Sequence, residues 1–126
     1  MQWCAALVAC GVMVSVTVKA HHSVLDFDGS RGVTVRGVVT EVVWQDPHAY
    51  IAVHVQEGPE RGRRWVVESE SPVVLERLGW RRRSVRVGDR LLAVGAPHRR
   101  GERVMRCQTV TIADGAPLRC YPERTQ

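Results

Sequence analysis

The side chains best equipped for chemistry in this chain are its five histidines, and two of them stand together as His21-His22. They follow an apolar run from Trp3 to Val18, inside a stretch of twenty residues with no Asp, Glu, Arg or His. Such a run reads as the apolar segment of a secretory signal. Val18 and Ala20 place aliphatic or small residues at the minus-three and minus-one positions, so cleavage is expected after Ala20. The cut would make His21 the first residue, joining a free α-amino group and its imidazole in one chelate, with His22 adding a second imidazole. Nitrogen donors of this kind suit Cu(II) or Ni(II), and also Zn(II). Copper is the metal expected in an exported protein. No HxxxH or CxxC spacing accompanies the pair, so the metal reading depends on the cut. An uncleaved anchor, or lipidation at Cys10 of LVAC, would remove the free amine. Only nine residues precede Cys10, too few for a charged start and an apolar run. The apolar stretch is also shorter than the roughly 20 residues a membrane span needs, so no span is expected after cleavage.

The remaining histidines need a scaffold before they can be read, and the scaffold is mostly β. GVTVRGVVTEVVW (Gly32 to Trp44) is a long β-branched strand with Gly37 at its middle, where a bulge or sharp coil fits. QDPH breaks it, because Pro47 lacks a donor and pushes Asp46 out of helical geometry. In AYIAVHVQ (Ala49 to Gln56), Ile51, Val53 and Val55 alternate with Tyr50, Ala52 and His54, placing Tyr50 and His54 away from the core. A third strand covers Arg64 to Glu70. SPVVLERLGW then carries the helix signal: Ser71 as cap, Pro72 at the first helical position, Gly79 as the left-handed exit. Val74, Leu75 and Leu78 share its apolar face. Val87 to Pro97 reads as a turn and the fourth strand, and Glu102 to Asp114 as the fifth. The fold expected is all-β with one short helix between strands three and four, the order of an OB-fold, a five-stranded Greek-key barrel that binds through the loops joining strands one to two and four to five. The divisions are a signal at 1–20, an N-terminal extension at 21–31, the barrel at 32–114 and a tail at 115–126.

On this map His48 falls in the first of those loops, His98 in the second with Arg99 and Arg100, and His54 and Tyr50 on the outer face of strand two. These six residues form the expected ligand face, and His48 could join His21 and His22 around a metal. The enzyme signatures are thin. Ser71 is better explained as a cap than as a nucleophile, no GxSxG motif is present, and Glu68 and Glu70 read as a solvated strand face. Trp44, Trp65 and Trp80 read as packing. No catalytic activity is expected.

Residues 21–126 hold 17 arginines and no lysine against 13 acids. The arginines cluster in RGRR (Arg61 to Arg64), WRRRSVR (Trp80 to Arg86) and HRRGERVMR (His98 to Arg106), and clusters of this kind steer anionic partners. Cys107 and Cys120 are the two cysteines beyond the signal, and in an oxidising compartment a disulfide is expected. Closing that loop stabilises the fold by about 3 kcal/mol in the chain-entropy model. A thiolate ligand beside a histidine is the alternative, and it would leave the other thiol oxidisable.

The ordered motifs AHHSV, GVVTEVVWQDPHAYI, WVVESESPVVLERLGW and VRVGDRLLAVGAP together resemble an uncharacterised family of small exported bacterial proteins, a domain of unknown function. The match runs to about Asp114 and includes His21, His22, Ser23, Trp44, Pro47, His48, Trp65, Ser71, Pro72, Leu75, Gly79, Trp80, Gly88 and Asp89. Val24 and Tyr50 stand where larger aromatic residues are expected, and the cysteine pair is a feature of this chain. The resemblance implies export and a single β-barrel-like domain, and it carries no activity with it. The function expected is therefore a periplasmic or secreted, non-catalytic OB-like binding module, in its sharper form one that binds copper at His21 and His22. The alternative is an interaction subunit that docks on an envelope protein partner through its Arg-rich loops. Nucleic acid suits the fold, but export argues against it.

Overall fold

The computed structural model describes residues 24–123. A 3-10 turn at Val24–Asp26 leads into β1 (Val33–Val43), β2 (Tyr50–Val55), β3 (Arg64–Glu68), the helix α1 (Pro72–Arg77), β4 (Arg90–Pro97), β5 (Val104–Ile112) and the two-residue β6 (Leu118–Arg119). The sheet runs β3-β2-β1-β4-β5-β6, and a parallel pairing of β3 with β5 closes the first five strands into a barrel. This is the OB-like barrel expected, with α1 between β3 and β4. Among the described residues no helix is long and apolar enough to cross a membrane.

β1 serves both halves of the barrel. Its first half, Val33 to Val38, pairs with β4, and from Gly37 onward it pairs with β2. Gly37 is bonded on both sides, opposite Val55 and Leu91, and a Cβ there would lie 2.1 Å from the His54 carbonyl oxygen. The glycine is thus required by close approach of two backbones. Of the bulge or sharp coil expected at Gly37, the bulge falls instead between Val39 and Glu41. A doubly paired residue has no slack for an extra neighbour, whereas Val39 has left β4. The Val39 amide and carbonyl bond instead to Asp89 O (2.9 Å) and the Gly88 amide (2.8 Å).

The helix is short for the reasons its sequence contains. Pro72 starts it, and the chain leaves through Gly79 at φ +97°. Ser71 occupies the N-cap position in extended geometry but makes no side-chain cap; its carbonyl accepts the Leu75 amide at 3.0 Å. Leu75 is fully buried, with Val74 and Leu78 half-buried beside it. Leu75 joins Trp80, Val85 and the inward residues of the strands in one core. Trp80 is buried, and its indole N–H donates to the Arg119 carbonyl at 2.6 Å. Burying an indole without a partner would cost its hydrogen bond, so the tail completes the core polar as well as apolar contacts.

The tail is held by the expected Cys107–Cys120 disulfide. β6 lies along β5 at Thr109 and Val110, beyond the stretch Val104 to Arg106 that β3 occupies. The Glu70 amide reaches Cys120 O at 3.4 Å, so the tail spans from β5 to the end of β3.

Candidate functional site

The outer face of β2, β3 and β5 carries one polar row. Tyr50 stands opposite Glu68 in the β2–β3 register, and Glu68 stands opposite Arg106 in the β3–β5 register. Glu68 is only 2% exposed. The solvated strand face expected of Glu68 and Glu70 is therefore corrected: β3 ends at Glu68, and the tail and the loop after β1 cover it. A carboxylate in such a position needs charged or hydrogen-bonding neighbours.

His48 comes to this row from the β1–β2 loop, where Pro47 follows Asp46 through a cis bond. Ala49 anchors the loop by exchanging backbone bonds with Glu70 O (3.1 Å) and the Ser69 amide (3.0 Å). The His48 Nδ1 lies 3.0 Å from the Ser69 carbonyl oxygen. A carbonyl only accepts, so Nδ1 carries the hydrogen and donates it. Whenever the ring is neutral its lone pair is therefore at Nε2, which lies 4.0 Å from Glu68 Oε1. The ring meets Tyr50 edge-on with centroids 6.4 Å apart. Burial raises the Tyr50 phenol pKa above its usual value, and the Glu68 charge raises it further.

On the other side of Glu68, the Arg106 guanidinium sits 3.8 Å from the centre of the Tyr121 ring, a cation over an aromatic face. Burial pushes the Tyr121 phenol up to about 12; Arg106 opposes this, while the Glu68 and Glu70 charges add to it. Tyr121 is thus neutral at any physiological pH, and its phenol oxygen accepts a hydrogen bond from Arg106. An open cleft of about 320 Å³ adjoins the row, lined by Arg106, Gln108, Thr109, Arg119 and Tyr121 among others.

The six expected ligand residues do not gather in one place. His48 and Tyr50 meet, whereas His54 is exposed and pairs with Arg64. It lies four residues beyond Tyr50, about 13 Å along the strand. His98 is not a loop side chain open to ligand but is buried at 5% exposure. Its ring stands edge-on to Phe27 with centroids 5.6 Å apart, and its Nδ1 accepts the Arg100 amide at 3.3 Å. Arg99 holds the N-terminal segment: its amide donates to Asp26 O (2.8 Å), its Nε to Leu25 O (3.0 Å), and its Nη1 lies 3.8 Å from Asp28 Oδ1. Arg100 is exposed. His21 and His22 lie outside the described residues. Among the described residues no three His, Cys, Asp or Glu side chains converge as a metal cage.

Glu68, Arg106 and Tyr121 were not expected at a site. Strand alternation puts Glu68 and Val66 outward, and nothing in RWVVESE says that the outward face will be covered. The available signal was the cysteine pair, which requires the tail to fold back against β5.

The fold defines a small closed β-barrel of OB-like connectivity with a capping helix and a stapled tail. The model for the family of unknown function DUF6152 matches residues 8–106, and the chain belongs to that family. Among curated proteins none matches the sequence. Among solved structures it is similar to the crystal structure of the ZRD-deleted mutant of TiaS in complex with agmatine, at 18% identity and a TM-score of 0.47. That alignment covers 75% of this chain and 25% of the other.

Proposed function

We propose that the protein is an exported, non-catalytic binding module that takes a transition metal, copper, through His21 and His22, with His48 as an additional ligand. The observation that carries the reading is the preset His48 ring, whose Nδ1–H is engaged by Ser69 O at 3.0 Å and whose Nε2 lies beside the buried Glu68 carboxylate. An imidazole lone pair next to a carboxylate is donor chemistry that divalent transition metals accept. A backbone carbonyl on the other ring nitrogen is the usual means of orienting such a ligand. The Cys107–Cys120 disulfide favours an oxidising compartment and so supports export.

The test is Cu(II) titration of the chain beginning at His21, followed by calorimetry and visible absorption. One equivalent should bind tightly, His21→Ala or His22→Ala should abolish tight uptake, and His48→Ala should weaken it. Uptake no tighter than that of a generic peptide, or unaffected by replacing His21 and His22, would sink the proposal.

A further inference from the structure

Outside the connection from α1 to β4, five of the ten described arginines meet carboxylates: Arg36 with Glu57, Arg64 with Glu41, Arg99 with Asp28, Arg103 with Glu60 and Arg119 with Glu123. The connection from α1 to β4 differs. Arg77, Arg81, Arg82, Arg83, Arg86 and Arg90 are all exposed, and among the described residues none of them pairs with a carboxylate. Val73 to Arg90 holds these six arginines against two acids, Glu76 and Asp89, for a charge of +4. The rest of the described chain holds ten arginines against eleven acids, for −1. The whole positive excess of the described protein is thus concentrated in one segment.

The segment is also built to hold that charge outward. Ser84 Oγ accepts the Arg81 amide at 2.7 Å, and Asp89 Oδ2 accepts the Arg86 amide at 2.8 Å. Gly88 and Asp89 are bonded to both backbone groups of Val39. Val85 is buried in the core, while Val87, two residues on, is 66% exposed. Val73 is 53% exposed, so the same segment carries two of the four exposed large hydrophobic side chains among the described residues. Arginines paired with outward aliphatic groups suit a surface that offers phosphates and an apolar layer beneath them. A soluble polyanion would leave the valines wet.

We propose that the α1–β4 segment docks the protein on a bilayer surface rich in anionic phospholipid. The proposal stands apart from the metal reading, since none of its residues belongs to that site. Each basic residue near an anionic membrane contributes about 1 kcal/mol, which is about fivefold in partitioning.

The test uses the chain beginning at His21 with vesicles of phosphatidylcholine alone or mixed with phosphatidylglycerol, read by co-sedimentation. Binding should require phosphatidylglycerol and fall steeply as salt rises and the Debye length shrinks from about 10 to about 3 Å. Replacing Arg81, Arg82 and Arg83 by Gln should lower partitioning by about a hundredfold. A charge-matched control at Arg36, Arg61 and Arg63 should retain most of it. Val87→Ser should weaken vesicle binding and leave binding to soluble polyphosphate unchanged. The proposal is overturned by equal partitioning to neutral vesicles, by equal losses in the two triple variants, or by a Val87→Ser protein that binds vesicles as well as the parent.

Discussion

Breaking the Cys107–Cys120 bond should lower the stability of the whole barrel. The two half-cystines are 13 residues apart, and in the chain-entropy model closing such a loop contributes about 3 kcal/mol. The cleanest perturbation is reduction of the parent chain, unfolded with reductant and refolded in it, because every side chain stays in place and no cavity is made. Both cysteines are fully buried and packed in the core, and the tail they staple supplies the Trp80 indole with its acceptor, Arg119 O. The loss should therefore reach the core through Trp80 rather than stop at a frayed end. For a domain of this size, 1 kcal/mol corresponds to about 4–8 °C in Tm, so the reduced protein should melt roughly 12–24 °C lower. Urea midpoints and calorimetric Tm of oxidised and reduced protein, with Trp fluorescence as probe, supply the measurement. Coincident midpoints, or a drop with no change around Trp80, would refute the reasoning that the tail is part of the core.

The two tyrosines of the chain, Tyr50 and Tyr121, should both ionise above the normal phenol range, Tyr121 near 12, and absorbance at 295 nm during alkaline titration checks it. Because the Tyr121 pKa is raised in the fold, its stabilising effect is complete below about pH 10. As pH rises from about 10 through about 12 the unfolded chain releases its proton first, and about 2 kcal/mol should be lost; Tyr121→Phe should remove that slope from the urea midpoints. Glu68→Gln should lower the titration of both tyrosines, since the Glu68 charge raises each of them; unchanged curves would place the carboxylate elsewhere. Gly37→Ala drives a methyl to 2.1 Å from the His54 carbonyl oxygen and should cost about 3 kcal/mol, the upper range of overpacking. Gly32→Ala, with nothing within 4 Å of its added Cβ, should be close to neutral by the same chemical denaturation.

The order of strands, the helix with its proline start and glycine exit, and the fold class were all legible in the chain, because each rests on local chemistry. A period of two marks β2, and a Pro72–Gly79 bracket leaves room for only a short helix. The disulfide was legible too, from the cysteine number together with the oxidising compartment that export implies. The bulge was not, since its place depends on where β1 changes partner, at Gly37 and Val38. The candidate site was half legible: His48 and Tyr50 lie together as their loop and strand positions imply. His98 escaped because burial is decided by what covers a residue, and its cover, Phe27, lies 71 residues away in the chain. Glu68 escaped for the same reason, as its neighbours come from β2, β5 and the tail. By itself the sequence determined the elements, their order and the chemistry available at His21 and His22. Only the tertiary structure decided which polar groups are dry, which arginines are neutralised and which are left facing out, because strand pairing and tail closure bring together charges that no local pattern links.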